Sequence, residues 1–81
     1  MEARFQKILD LAAGGEYDQA IAQCKLLGMT IRESSFAFLM NLAAANFHAA
    51  RAGGDLDVFG GLARGYLQAA EHQLSKIETR K

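Results

Sequence analysis

Proline and tryptophan are absent from this 81-residue chain, and valine and cysteine occur once each, as Val58 and Cys24. Without proline nothing forces a break inside a long periodic segment, so the eight glycines alone punctuate the chain. The scarcity of valine, beside abundant Ala, Leu, Glu, Lys, Gln and Arg, argues for helix and against sheet. A single cysteine excludes an internal disulfide and fits a reducing compartment. Charge of one sign is missing too: nine basic and nine acidic residues cancel, which removes the field that gathers nucleic acid or anionic membrane around a protein. No charged-then-apolar leader opens the chain, because Arg4 and Lys7 fall inside an amphipathic pattern. The apolar stretch from Phe36 to Ala50 is interrupted by Asn41, Asn46 and His48 and falls short of the ~20 apolar residues that span a bilayer. The expectation is a cytoplasmic protein without a membrane partner.

The chain is 51% hydrophobic and 22% charged, a globular balance. Residues 1–81 form one small domain, at a size where only about 60% of the unfolded surface is buried and stability is modest unless association or unusually good packing adds to it.

Apolar residues at Phe5, Ile8, Leu9 and Ala12 recur at helical spacing and predict a helix over about 2–13, ended by Gly14-Gly15. A second stripe of Tyr17, Ala20, Ile21, Cys24 and Leu27 predicts a helix over 16–27 that stops at Gly28. Thr30-Ile31-Arg32-Glu33 fits a capping box and predicts a third helix over 31–52, ended by Gly53-Gly54. Asp55 can cap a fourth, over 56–78, with Leu56, Phe59, Leu62, Tyr66, Ala70, Leu74 and Ile77 on one face and Lys76, Arg80 and Lys81 at its C-terminal end. All connections are short, so neighbours fold back on each other. The expected fold is all-α, with four helices as two antiparallel helix-turn-helix hairpins in a small bundle or repeat-like array.

The stretch Ala13-Gly14-Gly15-Glu16-Tyr17-Asp18 reappears thirty-nine residues later as Ala52-Gly53-Gly54-Asp55-Leu56-Asp57. Duplication accounts for this echo, and so does the local need of a hairpin turn for glycine and an acidic cap.

The third helix is the most informative segment. Ser35 to Phe47 is apolar around most of a helical circumference, and such a helix must be covered on several sides. Phe36, Met40, Ala43, Phe47 and Ala50 make one core-facing stripe, with Phe38, Leu39, Leu42 and Ala45 on a second side. Either the other helices cover that second side, or it is a groove or seam for a partner, where each buried Phe or Leu contributes ~1.5–3 kcal/mol. Asn41 either fixes register in a helix interface or marks a wet edge. Ala43, Ala44 and Ala45 give a smooth strip on which another helix can lie close.

Gly15-Glu16-Tyr17-Asp18-Gln19-Ala20 resembles the turn and second-helix start of a tetratricopeptide repeat, in which the glycine turns, the tyrosine packs on the first helix and the alanine permits close helix approach. The match covers these six residues; the family's aromatic and glycine of the first helix are not in place, nor is its closing proline, and Phe59 stands where the second unit would need a small alanine. The resemblance implies paired helices that bind a peptide or helix, similar in kind to small repeat-like proteins that shelter an aggregation-prone partner, such as bacterial secretion chaperones. Cys24-Lys25-Leu26-Leu27-Gly28-Met29-Thr30 resembles the first helix and turn of a helix-turn-helix DNA reader. A recognition helix should show polar and basic residues to bases and phosphates, whereas Arg32 is here followed by Ser34-Ser35-Phe36-Ala37-Phe38-Leu39-Met40.

His48, His72 and Cys24 do not stand at metal-ligand spacing, and a lone histidine near a helix end serves as a solvated or capping group more readily than as a catalyst. Asp10, Glu16, Asp18, Asp55 and Asp57 sit at helix ends, where capping and the helix dipole account for them. The glycine pairs lack the preceding strand and following Lys-Ser/Thr of a phosphate loop. Gly60, Gly61 and Gly65 weaken the fourth helix and mark a tight crossing or a flexible first turn. No catalytic residue, metal, cofactor or small-molecule substrate is expected. The expected activity is a non-enzymatic interaction module, an adaptor, chaperone or inhibitor, that binds an amphipathic helix of another protein or self-associates as a homodimer. Phe38, Leu39, Leu42 and Ala45 are its expected contact face, with Arg64 and Tyr66 at the rim. The alternative is a small DNA-binding regulator using Lys25, Arg32 and the basic tail.

Overall fold

Both glycine pairs turn the chain by the same backbone device. Gly15 (φ 81°) and Gly53 (φ 96°) are, among the described residues, those in the left-handed region, where a side chain would be strained. The amide after each closes a wide turn onto the preceding helix, Glu16 N–H to Leu11 O at 2.9 Å and Gly54 N–H to Ala49 O at 3.0 Å. Structurally, then, Gly15 corresponds to Gly53 and not to Gly54, so the turns are offset by one residue from the sequence echo.

The computed structural model describes residues 1–79, and these form α1 (Ala3–Ala13), α2 (Tyr17–Thr30), α3 (Ser34–Arg51) and α4 (Leu56–Thr79), with no strand among them. Arg80 and Lys81 of the predicted C-terminal cationic end lie outside the described residues. The fold is an all-α bundle with extents of 41 × 21 × 19 Å. Helix α3 lies between α2 and α4, tied to α2 by an Asp18–Arg51 ion pair and to α4 by a Gln73 Nε2 to Ser35 Oγ hydrogen bond at 3.0 Å. Helix α1 closes the bundle: the Glu2 amide donates to the Glu71 carboxylate, and Arg4 reaches Glu78 at 3.3 Å.

The core-facing stripes of the first three helices are as the spacing predicts. Phe5 and Ile8 of α1, Ala20, Ile21 and Cys24 of α2, and Phe36, Met40, Ala43, Phe47 and Ala50 of α3 are all buried. Phe5 meets Phe36 edge-on, centroids 6.3 Å apart, an arrangement that suits the ring quadrupoles. The Tyr17 ring pairs with Phe47 of α3 at 6.4 Å, so its packing reaches beyond the first helix.

Three local expectations are corrected. Helix α2 does not stop at Gly28 but continues to Thr30, and Gly28 has no positive φ. A Cβ there would stand 3.6 Å from Ala37 Cα and Met40 Cβ, an ordinary van der Waals contact, so this glycine faces α3 from within α2 and makes no turn. The Thr30 capping box does not form, because Thr30 Oγ1 is inside α2 and donates to Leu26 O at 2.7 Å, leaving Glu33 as an N-cap of α3 whose side chain accepts from Ser35 Oγ at 3.4 Å and from no backbone amide. The inward stripe of α4 holds at Ala70 and Leu74 but shifts in the first half of the helix, where Ala63 and Leu67 are buried while Leu56 and Leu62 are exposed. The Asp55 cap is present, with Oδ1 accepting from the Asp57 and Val58 amides at 2.9 and 3.4 Å.

Candidate functional site

Helix α3 turns its apolar surplus outward. Phe38 is 63% exposed, Ala45 and Asn41 are exposed, and Leu42 is half-buried. Leu39 is half-buried too, at the edge of the core. Asn46 satisfies its own amide by donating to Leu42 O at 2.8 Å. Helix α4 runs antiparallel beside this face, with Gln73 bonded to Ser35 at one end and the Phe59 ring under Gly54 at the other. That register brings Tyr66 level with Leu42, and Leu62 level with Asn46. Half-buried Tyr66 and exposed Leu62 and Val58 therefore continue the apolar face from α3 onto α4. The sequence pattern had placed Leu62 in the core, and only the shift in the first half of α4 reveals it as surface.

Arg64 does not join Tyr66 at a common rim. Two residues along a helix is about 200° of rotation, so the two lie on opposite flanks of α4. Arg64 instead borders a groove of about 600 Å³ between α1 and the start of α4. Phe47 and Tyr17 line this groove with Leu9 and Ala12 of α1, and Leu56, Asp57, Gly60 and Gly61 of α4 complete it. The pair Gly60-Gly61 is the sequence signal for this groove, since glycine inside a helix calls for a reason to omit side chains.

Neither surface assembles a reactive constellation. His48 and His72 are exposed and on different helices, and no group of His, Cys, Asp and Glu suited to holding a metal occurs among the described residues. No helix among them is long and apolar enough to cross a membrane. The residues of the DNA reading, Lys25 and Arg32, are exposed, but α2 and α3 run antiparallel from Gly28 beside Ala37 to Asp18 beside Arg51. A DNA reader of the helix-turn-helix type crosses its two helices at a wide angle instead.

Cys24 is fully buried, and burial pushes its thiol up to about 12. The thiolate, which is the nucleophile, is thus suppressed in the folded protein. Iodoacetamide should leave Cys24 unmodified in native protein at pH 8 and label it on addition of denaturant, as read by mass spectrometry; rapid native labelling would contradict this packing. Because the folded thiol resists ionisation more than the unfolded one, stability from this group is complete below the ordinary thiol range and declines as pH rises through it toward 12.

No family model matches the chain, and comparison with curated proteins and with solved structures yields no match either.

Proposed function

We propose that this protein is a non-enzymatic interaction module whose outer α3 face, extended by α4, receives an amphipathic helix of another protein. The observation that carries the reading is Phe38, a large aromatic residue 63% exposed at one end of an apolar band. Isolated surface leucines need no explanation, but a contiguous apolar strip of Phe38, Leu42, Leu62 and Tyr66 is a surface that gains free energy when covered. Ala45, beside that strip, lets a partner backbone come close. The match in kind is to helix-in-groove recognition, in which apolar anchors spaced along one face of the ligand helix supply the affinity. An adaptor, chaperone or inhibitor role fits this mode, and none requires chemistry from the chain itself.

Phe38→Asp tests it better than a change at Leu42, because Leu42 is half-buried and also serves the fold. Proteins co-purifying with wild type and with Phe38→Asp would be compared and the lost partner's helix titrated directly. Burial of one phenylalanine is worth ~1.5–3 kcal/mol, so binding should weaken at least about tenfold in Phe38→Asp with the melting temperature unchanged. Binding should respond weakly to salt. Unaltered affinity in Phe38→Asp, or affinity that collapses with added salt, would refute the reading and favour a nucleic-acid ligand.

A further inference from the structure

The groove between α1 and α4 is the second open apolar surface, and its chemistry is independent of the α3 face. Its floor holds the Tyr17–Phe47 pair, and Leu56, 56% exposed, stands at its mouth. Along the α4 wall, Asp57 and Arg64 are exposed, lie seven residues apart on one side of the helix, and form no ion pair among the described residues. The point midway between them falls between Gly60 and Gly61. A Cβ at Gly61 would meet nothing within 4 Å, and one at Gly60 would meet only the Leu56 side chain of the same helix. The monomer therefore carries two helix-weakening glycines without using the space they open.

We propose that this groove is the seam of a homodimer, in which the α4 helices of two copies cross antiparallel at Gly60-Gly61 about a two-fold axis. An interface on a two-fold axis must be complementary to itself. A helix with opposite charges at equal distances from its crossing point meets that condition: Asp57 of each copy comes beside the partner subunit's Arg64, giving two equivalent pairs. The glycines let the backbones approach, and each copy's Leu56 loses its exposure at the groove mouth. A second copy is favoured over an unrelated partner because this one helix, with an acid and a base at equal distances on either side of the glycines, is complementary to an antiparallel copy of itself. The outer α3 faces stay open in such a dimer, giving one binding face per subunit.

Sedimentation equilibrium of the full chain across the micromolar range tests the seam. Wild type should dimerise. Gly61→Leu should be monomeric with a melting temperature no lower than that of the wild-type monomer, since a Cβ at Gly61 meets nothing within 4 Å and the open groove lies beyond it. Arg64→Asp and Asp57→Arg each repel their own kind and should weaken the dimer roughly tenfold or more. Mixed in equal amounts, these two variants pair opposite charges at both contacts and should restore it. Phe38→Asp should dimerise as wild type does, which separates this inference from the α3 reading. A monomeric wild type, a Gly61→Leu protein that dimerises normally, a mixture no stronger than its components, or a dimer lost in Phe38→Asp would each overturn the proposal.

Discussion

Replacing Phe36 with alanine should cost about 3–5 kcal/mol, the range for emptying a fully buried aromatic site. Phe36 has no exposed surface, meets Phe5 edge-on at 6.3 Å, and belongs to the helix that both α2 and α4 pack against. Collapse around the cavity would have to draw α1 toward α3, and α1 is already held by the Glu2 and Arg4 contacts to α4. A domain of this length has a total stability of about 4–12 kcal/mol, so the loss is a large share of the whole. Urea unfolding followed by circular dichroism should show the midpoint fall sharply or the native baseline disappear. A loss below about 1 kcal/mol would mean that Phe36 is not packed as described.

The second large effect comes from a single methyl group. In Gly54→Ala the new Cβ would lie 2.6 Å from the Phe59 ring and 2.7 Å from Ala49 O. The half-buried Phe59 ring can yield, but Ala49 O is backbone and is the acceptor that closes the α3 turn. Overpacking of this kind costs about 1–3 kcal/mol, equivalent to several degrees in melting temperature for a small domain. Gly65→Ala is the control, since it adds the same methyl within α4 where nothing lies within 4 Å. Glycine-to-alanine in an open helix interior gains up to ~1 kcal/mol, so the two substitutions should shift the melting temperature in opposite directions. Shifts of the same sign would show that the space around Gly54 is not limiting.

Much of the candidate binding face is legible in the run from Ser35 to Phe47, because a helix apolar on nearly every side announces a surplus wherever its neighbours stand. Which residues make up that surplus is less legible. Leu39 belongs to the edge of the core and Phe38 to the surface, although they are adjacent and equally apolar. Arg64 and Tyr66 read as one rim in the sequence and occupy different surfaces in the fold. Leu62, Val58 and Leu56 become visible as surface only when α4 is docked.

The division follows the range of the forces involved. Helix formation, and chain reversal at Gly15 and Gly53, depend on groups within about four residues of each other, so composition and spacing alone determine four helices and two of their turns. The surroundings of Gly28 are set by Ala37 and Met40, the fate of the Thr30 hydroxyl by where α2 ends, and the inward side of α4 by how α1 and α3 are placed. Those decisions are made by packing between segments distant in the chain, where several apolar faces compete and only the assembled bundle selects one.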